Sequence, residues 1–201
     1  MIGDGMGLTQ LYSGYTANQG RLNIFNIKNI GLSVTTAADS YITDSAAGAT
    51  AMATGSKTNN RYIGVDSAGR TLSSITGKLK ANGFSTAIIS CGDITDATPA
   101  SFYAHQPERS LSEEIASDFL TSNNDILMGG GAASFTGRKD QRNLLIDLSR
   151  KGYSVSETNS SIDTIQSTKY VVIDNASAIS IKQGRGDFLV KSLQKSIASC
   201  S

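Results

Sequence analysis

A serine at the start of a run of small residues is the first place in this sequence where chemistry is expected. Ser45 follows Asp44 and precedes an alanine- and glycine-rich stretch that favours a helix. A serine at this position is either an N-cap, which accepts a backbone hydrogen bond, or a nucleophile. Because the amides and dipole of a helix start stabilise an anion, a phosphate bound there would lie beside the serine hydroxyl. The position alone favours the cap, and the neighbouring motifs shift the balance towards the nucleophile.

Oxygen ligands for a hard cation occur at two other points of the chain. Asp96 and Thr98 lie two residues apart after a short apolar strand, and Asp4 lies in a glycine-punctuated turn at residues 3–7. Carboxylates and hydroxyls of this kind suit magnesium. Each also has a plainer interpretation, since Asp96 before Pro99 is typical of an Asx-type turn and Asp4 of an ordinary glycine turn.

Helices and strands alternate along the chain in the pattern of a parallel sheet. Helices are predicted over residues 8–17, 45–54, 70–81, 111–120, 140–151 and 188–198, and strands over residues 86–90, 126–128 and 170–173. Residues 24–34 are expected to be irregular with strand character, and residues 154–168 an exposed polar loop. The order predicts an α/β fold with a mainly parallel central sheet covered on both faces. In such sheets the chemistry gathers at the carboxyl ends of the strands, so the three motifs above are expected along one edge.

Composition and charge indicate an ordinary globular domain and exclude several functional classes. The 201 residues carry 18 basic and 17 acidic side chains, without the charged block that a nucleic-acid or polyanion surface would need. No apolar run approaches the roughly 18 residues of a membrane span. No signal peptide is visible, and because only Met1 and Ile2 precede the first turn, the strand expected there should continue upstream. Cys91 and Cys200 form no metal-ligand cluster, and the sequence leaves open whether they pair.

Taken together and in order, these motifs resemble the alkaline phosphatases. The resemblance is carried by residues 2–7, 43–47 and 96–100, by Ala104-His105 followed by Arg109, and by the strand and glycine run at residues 126–131. It implies an alkaline phosphatase-like three-layer sandwich, of which residues 1–201 would form the incomplete amino-terminal part. It also implies hydrolysis of phosphate monoesters to inorganic phosphate through a phosphoserine intermediate, with two zinc ions and one magnesium ion.

The resemblance assigns three catalytic roles. Ser45 is similar to the serine that attacks phosphorus, Arg109 to the arginine that binds the substrate phosphate, and Asp44 to the carboxylate that orients it. A guanidinium matches two phosphate oxygens with parallel hydrogen bonds, which lysine cannot copy. We therefore expect Arg109 within salt-bridge reach of Asp44, and Ser45 at a helix start that faces a cleft shared with Asp4.

The resemblance also assigns metal ligands. Asp4 resembles the carboxylate shared between the second zinc and the magnesium, Asp96 and Thr98 resemble magnesium ligands, and Ser45 is similar to the serine that contacts zinc. An aspartate at position 96, rather than a histidine, is the version that fits magnesium. The chain has one histidine, His105, which we interpret as a core or hydrogen-bonding residue. Since a zinc pair needs imidazole and carboxylate ligands in number, the others are expected after residue 201, and these residues alone are expected to be inactive.

Two other interpretations stay open. A related phosphodiesterase, phosphonate hydrolase or sulfatase belongs to the same superfamily, although the formylglycine signature of sulfatases is absent and phosphodiesterases commonly use a threonine nucleophile. A non-catalytic phosphate-binding domain would keep Arg109 and the helix start without the zinc-binding histidines. By resemblance, the protein is expected to be a homodimer that is periplasmic or secreted.

Overall fold

The central sheet is parallel throughout, as predicted. The computed structural model describes residues 1–174 and 186–200, and residues 175–185 and 201 lie outside the description. The strands of the described residues are β1 (Ala87–Asp93), β2 (Ile126–Gly130), β3 (Ser154–Ser156) and β4 (Tyr170–Ile173). Their order across the sheet is β1-β2-β4-β3, and every neighbouring pair is parallel.

In the described residues, helices precede the first strand, connect the strands and follow the last one. They are α1 (Leu8–Ala17), α2 (Ser45–Thr54), α3 (Ile75–Ala81), α4 (Ala97–Ala100), α5 (Ser112–Phe119), α6 (Ala133–Thr136), α7 (Leu144–Arg150) and α8 (Phe188–Ser199). Two short 3-10 helices in this part of the chain span Asn23–Asn26 and Asn159–Thr164. Helices therefore follow β1, β2 and β4, which is the arrangement that a parallel sheet requires of its connections.

Side chains on the two faces of the sheet pack into two separate apolar clusters. On one face Leu127 and Val171 join a large cluster with Phe119 of α5 and the leucines of α7. On the other face Met128 and Val172 pack with the second 3-10 helix and the start of α8. Because neighbouring strand residues point to opposite faces, β2 and β4 bury every side chain they carry. The fold is the three-layer α/β arrangement predicted.

Two predicted helices are shorter than expected, and both differences come from capping side chains. α3 begins at Ile75 rather than at residue 70, because Ser74 accepts the backbone N–H of Gly77 and ends the preceding extended segment. α7 begins at Leu144 rather than at residue 140, because the Asn143 side chain accepts the N–H of Leu145. Serine and asparagine stabilise a helix start more than a helix interior, so the polar residues before them stay outside.

Two other predictions of local structure are wrong. Residues 154–168 are not a simple exposed loop, since they form β3 and a 3-10 helix. Ile162 of this helix and Ile165, which directly follows it, are buried against the sheet. Residues 24–34 are irregular as predicted, but their predicted strand character is wrong, since the described chain has only the first 3-10 helix there. β1 also continues to Asp93, beyond the predicted end at residue 90, which brings the strand closer to the Asp96 motif.

The described residues contain no membrane-spanning helix and no disulfide bond. Within residues 1–174 and 186–200, every helix is too short or too polar to cross a bilayer. Cys91 and Cys200 are both exposed free thiols, which answers the question of pairing that the sequence left open.

Candidate active site

The helix start at Ser45 is capped by its neighbour. Asp44 is the N-cap of α2, and its Oδ1 accepts the backbone N–H of Ala47 at 2.9 Å. Since the aspartate fills the capping position, the hydroxyl of Ser45 is not used to cap the helix. Ser45 is the first residue of α2, as predicted, and is partly exposed. Its side chain is therefore presented at the positive end of the helix dipole.

Small side chains fix α2 closely against the rest of the domain. Ala46 and Ala49 belong to the buried surface of α2, and α2 packs against α4. Thr50 lies in the same buried surface, where its hydroxyl accepts the N–H of Gly64 at 2.9 Å and lies 3.3 Å from the hydroxyl of Ser101. A helix held by close packing and buried hydrogen bonds gives Ser45 a rigid base.

Arg109 joins the two motifs of the site through its guanidinium group. Its Nη1 donates to Ser45 Oγ at 2.9 Å and to Asp44 Oδ2 at 3.3 Å, and its Nη2 donates to Asp96 Oδ1 at 2.8 Å. The Arg109 and Asp44 side chains are 24% and 25% exposed, so the pair lies in a partly shielded position. The predicted ion pair between Arg109 and Asp44 is confirmed, and the contact with Asp96 was not predicted.

A tight turn after β1 places Asp96. The carboxylate of Asp93 accepts the backbone N–H of Thr95 at 2.9 Å and its hydroxyl at 2.7 Å, which closes the turn. Asp96 then begins α4, where its Oδ1 accepts the N–H of Ala97 at 2.7 Å. The turn needs the last glycine after β2, because Gly131 has φ +92° and a Cβ there would lie 2.0 Å from Asp93 Oδ1. The glycine run therefore makes room for the turn that carries Asp96.

Asp4 reaches the site through Thr98. The Thr98 hydroxyl donates to Asp4 Oδ2 at 2.7 Å, so two of the predicted magnesium ligands are adjacent. Asp4 is exposed, and it lies in a segment that precedes every buried residue of the described chain. A cleft shared by Asp4 and Ser45 remains a prediction.

A loop that sequence analysis missed supports the backbone at Asp44. Asn60 Oδ1 accepts the N–H of Asp44 at 2.8 Å, and its Nδ2 donates to the carbonyl of Ile42 at 2.9 Å. The backbone N–H of Arg61 donates to Asp44 Oδ2 at 3.0 Å. The Asn-Asn pair at residues 59–60 is typical of a turn, but the sequence carries no signal that this turn contacts the start of α2.

The same loop also contacts the residue before Arg109. Arg61 donates from Nε and Nη2 to the two carboxylate oxygens of Glu108, at 2.8 and 2.6 Å. The hydrogen bond from Arg61 and those from Ser110 hold the pKa of Glu108 at about 2, below the ordinary glutamate value. Glu108 thus remains ionised, and its adjacency to Arg109 is the one signal that sequence analysis could have used.

His105 has the hydrogen-bonding role that was predicted for it. Its Nδ1 lies 2.8 Å from the carbonyl oxygen of Gly64, and its backbone N–H donates to Asp118 Oδ2 at 2.7 Å. The approach is close enough that a Cβ on Gly64, which has φ +60°, would lie 2.1 Å from the Ala104 carbonyl oxygen. His105 therefore fixes the segment that leads to Arg109.

The donors around the site fit magnesium better than a zinc pair. Asp4, Asp96 and Thr98 offer carboxylate and hydroxyl oxygens, the hard donors that magnesium prefers. Zinc sites use imidazole, thiolate and carboxylate ligands, usually four in number. Among the described residues, no group of three or more histidine, cysteine, aspartate or glutamate side chains is arranged to hold a metal. These residues could contribute part of a metal site, and they do not complete one for zinc.

Comparison with known proteins gives a consistent result. The family model described as "Alkaline phosphatase" matches residues 1–183. Alkaline phosphatase 4 of Bacillus subtilis is 37% identical in an alignment of 177 residues that covers 81% of this chain and 38% of that protein. Streptomycin-6-phosphate phosphatase of Streptomyces griseus is 32% identical in an alignment of 162 residues that covers 67% of this chain and 36% of that protein.

Solved structures agree with the sequence relatives. The alkaline phosphatase of the Antarctic bacterium TAB5 superposes with a TM-score of 0.92 and 36% identity, over 100% of this chain and 59% of that one. A mutant of the TAB5 enzyme with magnesium bound in its M3 site gives the same TM-score at 37% identity and the same coverage. The chain thus spans 38% of the length of the Bacillus relative and 59% of these structures. The chain belongs to the alkaline phosphatase family.

Proposed function

We propose that this chain contributes the nucleophile and the phosphate-binding arginine of a phosphate monoester hydrolase. The supporting observation is the position of the Arg109 guanidinium, which donates to Ser45 Oγ at 2.9 Å at the start of α2. A phosphate group that accepts hydrogen bonds from this guanidinium would have its phosphorus atom near Oγ. Helix dipole, backbone amides and guanidinium all favour a dianion at this point.

The first chemical step transfers the phosphoryl group to Ser45. The Oγ atom attacks phosphorus and forms an O–P bond, the ester O–P bond breaks on the opposite side, and the leaving alcohol carries away a proton. Arg109 stabilises the charge that spreads over the equatorial oxygens, because its donors are already in place. Asp44 holds Arg109 through the 3.3 Å contact, so less conformational freedom is lost when phosphate binds.

The second step returns the enzyme to its starting state. A water molecule attacks the phosphoserine, the bond between phosphorus and Oγ breaks, and Ser45 regains a proton as inorganic phosphate leaves. Arg109 holds the same phosphoryl oxygens in both steps, since the two displacements pass through transition states of similar charge. The two steps together account for hydrolysis without a change in Arg109 or Asp44.

Metal ions are part of this proposal. Asp4, Asp96 and Thr98 would hold one magnesium ion, and Asp4 and Ser45 would contribute to a zinc pair whose other ligands lie outside the described residues. Bound zinc would supply Lewis acidity that lowers the pKa of a serine hydroxyl or of a water molecule. Asp96 Oδ1 accepts a hydrogen bond from Arg109 Nη2 at 2.8 Å. Metal binding to the Asp96 carboxylate is therefore expected to affect the position of Arg109.

A second candidate function is phosphate binding without catalysis. It is supported by one observation, namely that Arg109 and Asp44 are paired beside the helix start within this chain. It would be favoured over catalysis if the full-length gene product also lacked the zinc-binding histidines. Such a protein would bind inorganic phosphate at the same place and would not turn over esters.

The test compares variants of the full-length gene product, assayed with a chromogenic phosphate monoester at alkaline pH with zinc and magnesium. We expect Ser45→Ala to remove most turnover, and Arg109→Ala to weaken inhibition by phosphate and lower the rate. Arg142→Ala, which removes an exposed arginine paired with Asp147, serves as the control and should match the wild type. Turnover that survives in Ser45→Ala would overturn the proposal, and phosphate binding without any turnover would favour the second candidate.

The 201-residue chain is tested in the same assay. With four oxygen donors and no imidazole at the site, we expect little or no turnover from it even with both metals added. Strong turnover by these 201 residues would show that the metal ligands have been assigned to the wrong part of the protein.

Assembly and location are proposals that rest on family membership. We propose a homodimer that functions in the periplasm or outside the cell. Light scattering of the purified full-length gene product would measure its mass in solution, and a monomer at micromolar concentration would contradict the dimer. Fractionation of the source cells would test the location.

A further inference from the structure

Arg61 has a backbone conformation that is unusual for its residue type. Its φ is +71°, and in the described chain only Gln19, Asn123 and Gln141 share this left-handed region among the non-glycine residues. A side chain with a Cβ is disfavoured there, so the conformation persists only where surrounding contacts hold it. The contacts of Arg61 show what holds it.

The left-handed turn lets Arg61 make two contacts in different directions. Its backbone N–H donates to Asp44 Oδ2 at 3.0 Å, at the start of α2. Its guanidinium donates two hydrogen bonds to the carboxylate of Glu108, at 2.8 and 2.6 Å. Glu108 is in turn fixed by the backbone N–H of Ser110 at 3.0 Å and by its hydroxyl at 2.9 Å. One residue therefore connects the helix that carries Ser45 with the segment that carries Arg109.

We infer that Arg61 is a positioning residue, which sets the Arg109 guanidinium against Ser45 Oγ by holding Asp44 and Glu108 at a fixed separation. Asp44 Oδ2 accepts from both Arg61 N–H and Arg109 Nη1, so the loop orients the carboxylate that orients the arginine. This inference rests on the proposed function of the site. An ordinary surface ion pair contributes little to stability. The Arg61–Glu108 pair differs because the backbone of Arg61 has a strained φ and its N–H is bonded to Asp44.

The charge of the Arg61–Glu108 pair explains why Arg61 positions Arg109 and does not itself bind phosphate. Glu108 lies against the Arg61 guanidinium with two parallel hydrogen bonds, and both side chains are partly exposed, at 35% and 56%. The glutamate neutralises Arg61, so the net attraction for a phosphate dianion comes from Arg109. Removing Arg61 should therefore change the geometry of Arg109 more than the charge of the site.

The decisive variant is Arg61→Gly in the full-length gene product. Glycine adopts φ +71° without strain, and this relief offsets the loss of the partly exposed ion pair with Glu108, so the melting temperature should change little. Without the link to Glu108, we expect KM for a phosphate monoester and the inhibition constant for inorganic phosphate to increase roughly tenfold, because misplaced binding groups lose affinity steeply. A purely structural role for Arg61 predicts the reverse pattern, with a lower melting temperature and unchanged phosphate affinity.

Two further variants complete the design. Gln141→Gly is the matched control, since Gln141 has φ +58° in the exposed connection between α6 and α7, and it should leave phosphate affinity unchanged. Glu108→Gln should reproduce most of the loss, and combining it with Arg61→Gly should add little, because both remove the same link.

Each outcome of this experiment counts for or against Arg61. Weaker phosphate binding with preserved stability supports the inference, and affinity equal to the wild type overturns it. If the wild-type protein neither binds phosphate nor hydrolyses the ester, the proposed function fails first and the role of Arg61 fails with it. Independent, additive losses in the two variants would also overturn the inference, since they would show that Arg61 and Glu108 act separately.

Discussion

The amino-terminal segment and the sheet body contribute to the same site, but their packing differs sharply. In the described residues 1–43 no side chain is buried, and α1 has no buried residue. By contrast, all five residues of β2 are buried. Asp4 belongs to the first region, whereas Ser45 and Arg109 are anchored to the second.

Because of this difference, the residues of the site are held in place in two ways. The serine and the arginine depend on close packing of α2 and on hydrogen bonds that reach several elements. Asp4 depends on the hydroxyl of Thr98, at 2.7 Å, and on a segment with exposed apolar side chains such as Leu8 and Phe25. The phosphate-binding part should therefore be rigid in this chain, and the metal-binding part should gain order when a cation is bound.

The largest expected effect is the difference in stability between substitutions of apolar side chains in the two regions. Phe119→Ala should lower the free energy of unfolding by about 3–5 kcal/mol, because the ring is fully buried and packs against Tyr103 and Tyr153. Leu8→Ala, in the exposed α1, should change it by less than about 0.5 kcal/mol. Urea unfolding followed by circular dichroism measures both. Similar losses would show that the amino-terminal segment is packed as tightly as the body.

The second prediction concerns the turn that carries Asp96. Gly131→Ala should lower the free energy of unfolding by about 2 kcal/mol or more, because the new Cβ would lie 2.0 Å from Asp93 Oδ1 in a left-handed backbone. Gly152→Ala is its matched control, with φ +89° and no described atom within 4 Å of the position that the new methyl group would take, so it should cost about 1 kcal/mol. Equal costs in thermal unfolding would mean that the contact with Asp93 is unimportant.

The third prediction tests the weakly supported metal ligands. Asp4→Asn and Thr98→Val should each lower magnesium affinity about tenfold or more, because each removes an oxygen donor or its hydrogen-bond partner. Isothermal titration with magnesium chloride gives the affinities. Asp163→Asn, an exposed aspartate of the second 3-10 helix, controls for the loss of one negative charge. If Asp4→Asn leaves the magnesium affinity unchanged, the amino-terminal segment does not contribute a ligand to the magnesium ion.

The smallest effect is the acid dependence of the Arg61–Glu108 pair. Since the pKa of Glu108 is lowered from 4.5 to about 2, its contribution to stability is present above pH 4.5 and is lost as the pH falls through about 2. Glu108→Gln should remove this part of the acid dependence. Asp140, whose pKa is also about 2 because of Arg138, gives the comparison. Asp140→Asn should show a similar acid effect without any change in phosphate binding at neutral pH.

The sequence predicted those helices and strands whose residue pattern lies entirely within the element itself. The predicted bounds of α1, α2 and β4 agree with the structure. Each of these segments contains its own signal, either a run of helix-forming residues or a run of apolar residues. The predicted starts of α3 and α7 failed because Ser74 and Asn143 resemble other polar residues until their capping contacts are known.

The parts that the sequence could not predict depend on contacts between distant residues. Ile162 lies in a serine-rich stretch and is buried only because the sheet offers a face for it. Asn60 reaches Asp44 across 16 positions, and Arg61 reaches Glu108 across 47. No periodicity or composition carries such pairings, so the residues that position the site were found only in the structure.

The phosphoryl acceptor can be identified by one measurement on the full-length gene product. The protein is mixed with a phosphate monoester, zinc and magnesium, quenched in acid within the first turnovers, digested, and analysed by mass spectrometry. We predict one phosphoryl group on the peptide that contains Ser45, and none on that peptide in Ser45→Ala. Turnover accompanied by phosphorylation of a different residue, or phosphorylation that persists in Ser45→Ala, would contradict the assignment of Ser45 as the nucleophile.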